Sequence, residues 1–347
     1  MHFFFTSSVS APAVGADSLN FAEADWHQAL AEAVRDPDEL IDLLELPNAL
    51  REPARRSAKL FPLLVPLSFL ARIRRGDPYD PLLAQVLPLG IEETPTAGFS
   101  IDPVGDAAAR IAPGLLHKYH GRALLVTTGA CAVHCRYCFR RHYPYGDEPK
   151  RLADWESAFA AIAADTTLHE VILSGGDPLM LTDARLEALC DRIGAIQHVT
   201  RLRLHTRLPI VLPERVTGRL LDILHAAGPT PIVVVHANHP QELTGTCADA
   251  LRRLVRGGFT VLNQAVLLRG VNDSVEAQAG LCEGLVDLGV IPYYLHQLDR
   301  VAGAAHFEVA EETGRALVVE LRRRLPGYAV PSYVRETAGG EHKEIIE

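Results

Sequence analysis

Nowhere does the chain carry a run of about 18 apolar residues, so no segment reads as a bilayer span. Met1-His-Phe-Phe-Phe5 is apolar but short, and no basic stretch precedes it, which argues against a secretory signal. An excess of basic charge is missing too. The chain has 34 Lys and Arg against 43 Asp and Glu, a net charge of −9. That balance excludes a general nucleic-acid binder and still leaves room for a local basic pocket. Cysteine is scarce, six in 347 residues, and the six show no secretory framework spacing, so a reducing cytoplasm is expected. With 48% apolar and 22% charged residues the composition is that of an ordinary globular protein, long enough for one large core or two smaller ones.

What cysteine there is gathers in one place. Cys131-Ala-Val-His-Cys135-Arg-Tyr-Cys138 puts three in eight residues, spaced C-x3-C-x2-C. Arg122-Ala-Leu-Leu-Val-Thr-Thr128 before them reads as a buried strand that Gly129 breaks, so the cysteines sit on the loop leaving it. A compact loop can aim three thiolates at one point, and thiolates suit a soft metal centre. Zinc takes four protein ligands in a structural site, or three plus an open position in a catalytic one. A [4Fe–4S] cluster on three cysteines leaves one iron free for a small molecule. Buried thiols packed as small hydrophobes are the plain alternative. The polar company of His134, Arg136, Arg140, Arg141 and His142 speaks against it. Cys190, Cys247 and Cys282 are scattered and read as packing.

Residues 1 to about 20 lack pattern and read as a loose arm. Helical text runs from Ala22 to Leu46, with Asp36-Pro37 as a cap followed by a first-turn proline. A further helical piece is expected through Ser68–Arg75, and Gly76–Pro81 is turn chemistry. Residues 1–110 therefore read as an N-terminal helical cap offering packing surface and no visible chemistry. From about 120 the text alternates. Strands are expected at Ala123–Thr128, Glu170–Ser174, Arg201–Thr206, Ile232–His236, Val261–Leu268 and Pro292–Leu298, with helical windows between them. Six such units predict an α/β fold, a parallel sheet curled into an open (β/α)6 barrel, with the chemistry at the C-terminal strand ends. Residues 111–300 form this barrel in the reading, and 301–347 a short closing segment.

Polar residues do collect at those ends. Ser174-Gly-Gly-Asp-Pro178 follows strand two, His205-Thr-Arg207 strand three and His236-Ala-Asn238-His239 strand four. Asn263-Gln264 lies on strand five, and His296-Gln-Leu-Asp299 ends strand six. Each alone is as easily an internal hydrogen-bonding residue. Their repetition at successive ends is the signal. Two glycines after a strand let a backbone approach a ligand and expose its amides. A carboxylate such as Asp299 at a barrel mouth needs a cation or a helix N-terminus.

The cysteine spacing resembles the cluster-binding loop of the radical S-adenosylmethionine (SAM) superfamily. Cys138-Phe-Arg-Arg-His-Tyr-Pro-Tyr145 narrows the resemblance to the lysine 2,3-aminomutase family, and it extends roughly from Trp26 to Lys343. The resemblance implies an isomerase that turns L-α-lysine into (R)-β-lysine with a [4Fe–4S] cluster, SAM and pyridoxal 5′-phosphate (PLP). It implies cluster ligation by Cys131, Cys135 and Cys138. Gly175, Gly176 and Asp177 then contact the SAM amino group, and His236 and Gln264 line the SAM site. Arg122 and Lys118 hold the PLP phosphate, and Lys343, after a Gly-Gly turn, carries PLP covalently. Arg140 binds the substrate carboxylate by a bidentate pair, and Asp299 and Glu336 grip its ε-ammonium.

Three positions depart from the metabolic members of the family. Lys118 stands for Arg, Glu336 for Asp and His296 for Tyr. These departures bear on the shape of the pocket, and the lack of a cysteine-bearing extension after Lys343 favours the branch that supplies β-lysine for modification of elongation factor P. A metabolic lysine 2,3-aminomutase is the near alternative, and a non-catalytic iron–sulfur scaffold the distant one. The implied partners are lysine, a one-electron donor such as a flavodoxin or ferredoxin, and the enzyme that ligates β-lysine to elongation factor P.

Overall fold

A computed structural model describes residues 25–346. The arm expected at residues 1 to about 20 lies outside them. Ten strands form one sheet in chain order: β1 (Arg110–Ala112), β2 (Leu115–Tyr119), β3 (Arg122–Thr128), β4 (Glu170–Gly175), β5 (Arg201–Thr206), β6 (Thr230–Val235), β7 (Thr260–Val266), β8 (Ile291–His296), β9 (Ser332–Arg335) and β10 (Glu344–Ile345). Neighbours from β3 to β9 are parallel, and the pairs β1–β2, β2–β3 and β9–β10 are antiparallel. The six expected strands are β3 to β8. Each parallel step needs a crossover, and helices Glu156–Ala164, Asp183–Gly194, Gly218–His225, Thr246–Arg256 and Val275–Asp287 supply the five between them.

Local chemistry sets these elements. The Asp36 carboxylate accepts from the amides of Asp38 and Glu39, with Pro37 in the first turn. Helix Asp183–Gly194 buries Leu186, Leu189, Cys190 and Ile193, one apolar stripe at helical spacing. Cys247 and Cys282 likewise face the core from their helices, as expected of packing thiols.

The four additional strands change the picture of both ends. β1 and β2 extend the first edge through a tight turn at Gly114 (φ 74°). At the other edge β9 pairs with β8, the chain turns through Gly339 (φ 76°), and β10 returns antiparallel with Ile346 buried. A C-terminus held in a ladder does not fray. Short or irregular strands such as Glu344-Ile345 carry no period to read.

The N-terminal region is more than packing surface. Glu92 lies 6% exposed beneath the cysteine loop and pairs with Arg136 (2.5 Å) and Arg141 (2.8 Å). Arg136 itself has no exposed surface. The arginines crowding the cysteines thus find their counter-charge in a segment whose sequence shows no chemistry. Ser100 also bridges to Val301 just after Asp299, tying this region to the barrel mouth.

Candidate active site

Side chains from β2 to β8, and from the loops after β3 and β9, line one cavity of about 470 Å³. All fourteen residues to which the resemblance gives a role lie on its wall, from the three cysteines to Lys343, whereas His239 and Asn263 do not. The strand ends converge because successive parallel strands curl, and β9–β10 brings the tail to the same mouth.

The cysteine loop is anchored from beneath by the Gly-Gly turn. The amides of Gly176 and Asp177 donate to the carbonyls of Thr128 (2.7 Å) and Ala130 (2.9 Å). A Cβ on Gly176 would lie 2.3 Å from the Ala130 oxygen, and Gly175 has φ 121°. These glycines are required by backbone against backbone, so the two amides are spent inside the protein rather than exposed to a ligand. The Asp177 carboxylate is spent as well. It accepts from Thr206 Oγ1 (2.8 and 3.0 Å), the Arg207 amide (2.6 Å) and the Leu179 amide (3.0 Å). The turn that the resemblance assigns to SAM thus clamps β4 and β5 to the loop.

Cys131, Cys135 and Cys138 are unbridged and share the cavity wall. Burial raises the thiol of Cys131 and pushes that of Cys138 up to about 11, so thiolates there need a cationic centre. Among the described residues no three His, Cys, Asp or Glu side chains converge tightly enough for a single metal ion. Three unbridged thiols on one cavity wall are the donor set that would hold a [4Fe–4S] cluster.

Deeper in the cavity runs an unbroken chain of alternating charges. Ser174 Oγ accepts from Arg140 (3.1 Å), and Arg140 Nε donates to Asp106 (2.6 Å). Lys118 Nζ lies 2.8 Å from Asp106 and 3.0 Å from Glu336, and Glu336 pairs in turn with Lys343. Lys118 also donates to the Val104 carbonyl (2.8 Å), so one carbonyl and two carboxylates surround its ammonium. Its ammonium is thus engaged inside the protein. Arg140 is not an open fork either, since Asp106 occupies its Nε. Glu336 is already held by two ammonium groups. Burial works to raise its pKa, but Lys343 and Lys118 outweigh it and hold it near 2. Asp106, which links Arg140 to Lys118, is a member of the site that sequence reasoning missed. It sits on an irregular loop with only turn-like neighbours as a signal.

Other groups are open. The Arg122 guanidinium stacks over Tyr119 (4.7 Å) and meets no acceptor among the described residues, as a phosphate-binding cation should. Asp299 makes no side-chain hydrogen bond among them. Burial pushes its pKa up to about 7, with Glu336 adding to the rise and Lys343 and Lys118 opposing it. Tyr119 Oη, His205 Nε2 and His296 Nε2 are buried on this wall without partners. Orphaned polar atoms of this kind mark a cavity built around a polar ligand. His236 and Gln264 pair through Nε2 atoms at 3.0 Å. Burial lowers the pKa of His236 to about 3, and those of His205 and His296 also fall well below the ordinary value, so all three are neutral at pH 7.

Three thiols on the loop after the first parallel strand, over an open run of parallel strands, define a radical SAM protein. Residues 125–278 match the model of the radical SAM superfamily. L-lysine 2,3-aminomutase of Escherichia coli is 47% identical over 93% of this chain and 94% of its own length. That of Haemophilus influenzae is 41% identical over 93% and 96%. This chain belongs to the lysine 2,3-aminomutase family. A solved structure, SuiB of Streptococcus suis bound to S-adenosylmethionine, covers 63% of this chain and 51% of that one at 12% identity, with a TM-score of 0.48. No described helix is long and apolar enough to cross a membrane.

Proposed function

We propose that the protein isomerises L-α-lysine to (R)-β-lysine with a [4Fe–4S] cluster, SAM and PLP. The observation that carries the reading is the single cavity holding three unbridged thiols, the Lys343 amine and the unpartnered Asp299 carboxylate. When bound, the cluster with SAM would supply a hydrogen-abstracting radical, and PLP would supply a conjugated system that eases the shift of nitrogen between neighbouring substrate carbons.

The chain's own residues bind, orient and exclude water. Arg122 holds the PLP phosphate, and Lys343 is the amine that tethers PLP. Asp299 takes the substrate ε-ammonium. Glu336 holds the Lys343 ammonium in the present arrangement, and becomes available to the substrate once that amine is engaged elsewhere. Arg140, kept in place by Asp106 and Ser174, offers its remaining edge to the substrate carboxylate. Lys118 bridges Asp106 and Glu336 and joins Arg122 in offering positive charge to the phosphate. His236 and Gln264 line the side of the cavity toward SAM.

The division into an N-terminal cap (1–110), a barrel (111–300) and a closing segment (301–347) belongs to the same reading, with a cytoplasmic location and a flavodoxin or ferredoxin as electron donor. The proposed destination of the β-lysine is modification of elongation factor P. The test is an anaerobic assay with lysine, SAM, PLP and reductant, resolving the β-lysine enantiomers. Absence of β-lysine from protein that holds both cluster and PLP overturns the assignment. The (S) product would separate it from the elongation factor P branch.

A further inference from the structure

Arg207 follows β5 and is 5% exposed. Its Nη1 donates to Cys135 Sγ at 2.8 Å and to Tyr137 Oη. Its Nη2 donates to Gln85 Oε1 (2.7 Å) and lies 3.4 Å from Glu242. Among the described residues no other side chain donates to a sulfur of the cysteine loop. The contact is not a chance rotamer. Asn238 donates to both Tyr137 Oη (2.6 Å) and Gln85 Oε1 (2.9 Å), and Gln85 donates to Glu242 (3.0 Å). The Arg207 backbone amide is fixed by Asp177. Four separate segments therefore hold one guanidinium against one sulfur, a heavier investment than a buried ion pair with Glu242 needs.

The geometry points to Arg207 as a positioning residue that sets the reduction potential of the cluster through Cys135. This rests on the cluster reading given above. When one electron enters a [4Fe–4S] centre, its sulfurs gain negative charge and no proton has to move. An N–H···S bond from a fixed cation stabilises that reduced form and raises the potential. The bond acts in a site where Arg207 is dry and its partners cannot relax, so its effect is not screened away. The electron that starts each turnover is thereby made easier to accept from a weak physiological donor. Tyr137, two residues past Cys135, couples the loop to the same guanidinium, so loop position and potential are set by one network.

The test is a potentiometric titration of anaerobically reconstituted protein without SAM, followed by the electron paramagnetic resonance signal of the reduced cluster. In Arg207→Gln the ratio of reduced to oxidised cluster at a fixed potential should fall about tenfold, equal to about 59 mV for one electron, with iron content kept. Arg207→Lys, which preserves the buried charge and loses the fork, should fall in the same direction by less. Arg215→Lys, at an equally buried arginine on the carbonyls of Leu179 and Leu181, should leave the potential alone. Unchanged potentials in both Arg207 variants at full iron content overturn the inference. A readout on the unaltered protein stands beside them: with 15N-arginine labelling, the reduced cluster should show a nitrogen hyperfine coupling, and its absence also overturns the inference. Failure of the parent protein to hold any [4Fe–4S] cluster would instead overturn the functional reading itself.

Discussion

Lys118 and Glu336 stand 218 residues apart in the chain and meet at 3.0 Å, Nζ to Oε1. One lies on β2 and the other just past β9, so their pair crosses the gap between the two edges of the curled sheet. Ala338 against Gly105 packs beside it. Replacing Lys118 by Met leaves two largely buried carboxylates each short of a cation. Losing a buried partner costs roughly 3–5 kcal/mol. Thermal unfolding of Lys118→Met should shift down accordingly, and a Tm equal to that of the parent would show that the pair is not a closure.

Lys343 is tested by its chemistry. Borohydride reduction of PLP-loaded protein followed by peptide mapping should place a pyridoxyl group on Lys343. In Lys343→Ala the visible absorbance of bound PLP imine should vanish while iron content stays, and lysine turnover should collapse. The substitution also removes the nearer cation from Glu336. A pyridoxyl group on Lys118 would overturn the assignment.

Asp299 makes substrate binding depend on pH. Its pKa is raised to about 7, first by burial and then by Glu336. A carboxylate with a raised pKa is neutral below it and charged above it, and only the charged form attracts an ammonium. The KM for lysine should therefore rise as pH falls through about 7. In Asp299→Asn it should be raised two to three decades, the equivalent of roughly 3–5 kcal/mol, and lose this pH dependence. An equal rise in the KM for SAM would mean that the pocket belongs to the wrong ligand.

Gly176 carries a geometric prediction. Ala at this position puts a Cβ 2.3 Å from the Ala130 carbonyl, so the cysteine loop has to move. Gly176→Ala should lose most of its iron on anaerobic reconstitution, as Cys135→Ala should, whereas Cys190→Ala, whose thiol is buried in a helix stripe, should keep it. Full iron in Gly176→Ala would free the turn from the anchoring role and return it to ligand contact.

The sequence by itself determined the six parallel strands and their order. Buried strands and amphipathic helices are local patterns with fixed periods, and Val171–Ser174 or Leu186–Ile193 display them directly. It also held the three cysteines together, because a short spacing such as C-x3-C-x2-C keeps its members close whatever the fold, while Lys343 and Glu336 entered only through the family resemblance. What only tertiary structure decided is which of those residues are free to act. Lys118, Asp177 and Arg122 look alike as chemistry-bearing residues in a sequence. Folded, the first is engaged by Val104, Asp106 and Glu336, the second by Thr206 and two amides, and the third meets no acceptor among the described residues. A hydrogen-bond donor can be spent only once, and its partners lie tens to hundreds of residues away. Asp106, Glu92 and the grip of Arg207 on Cys135 are hidden for the same reason: each is defined by a contact between segments that share no sequence pattern.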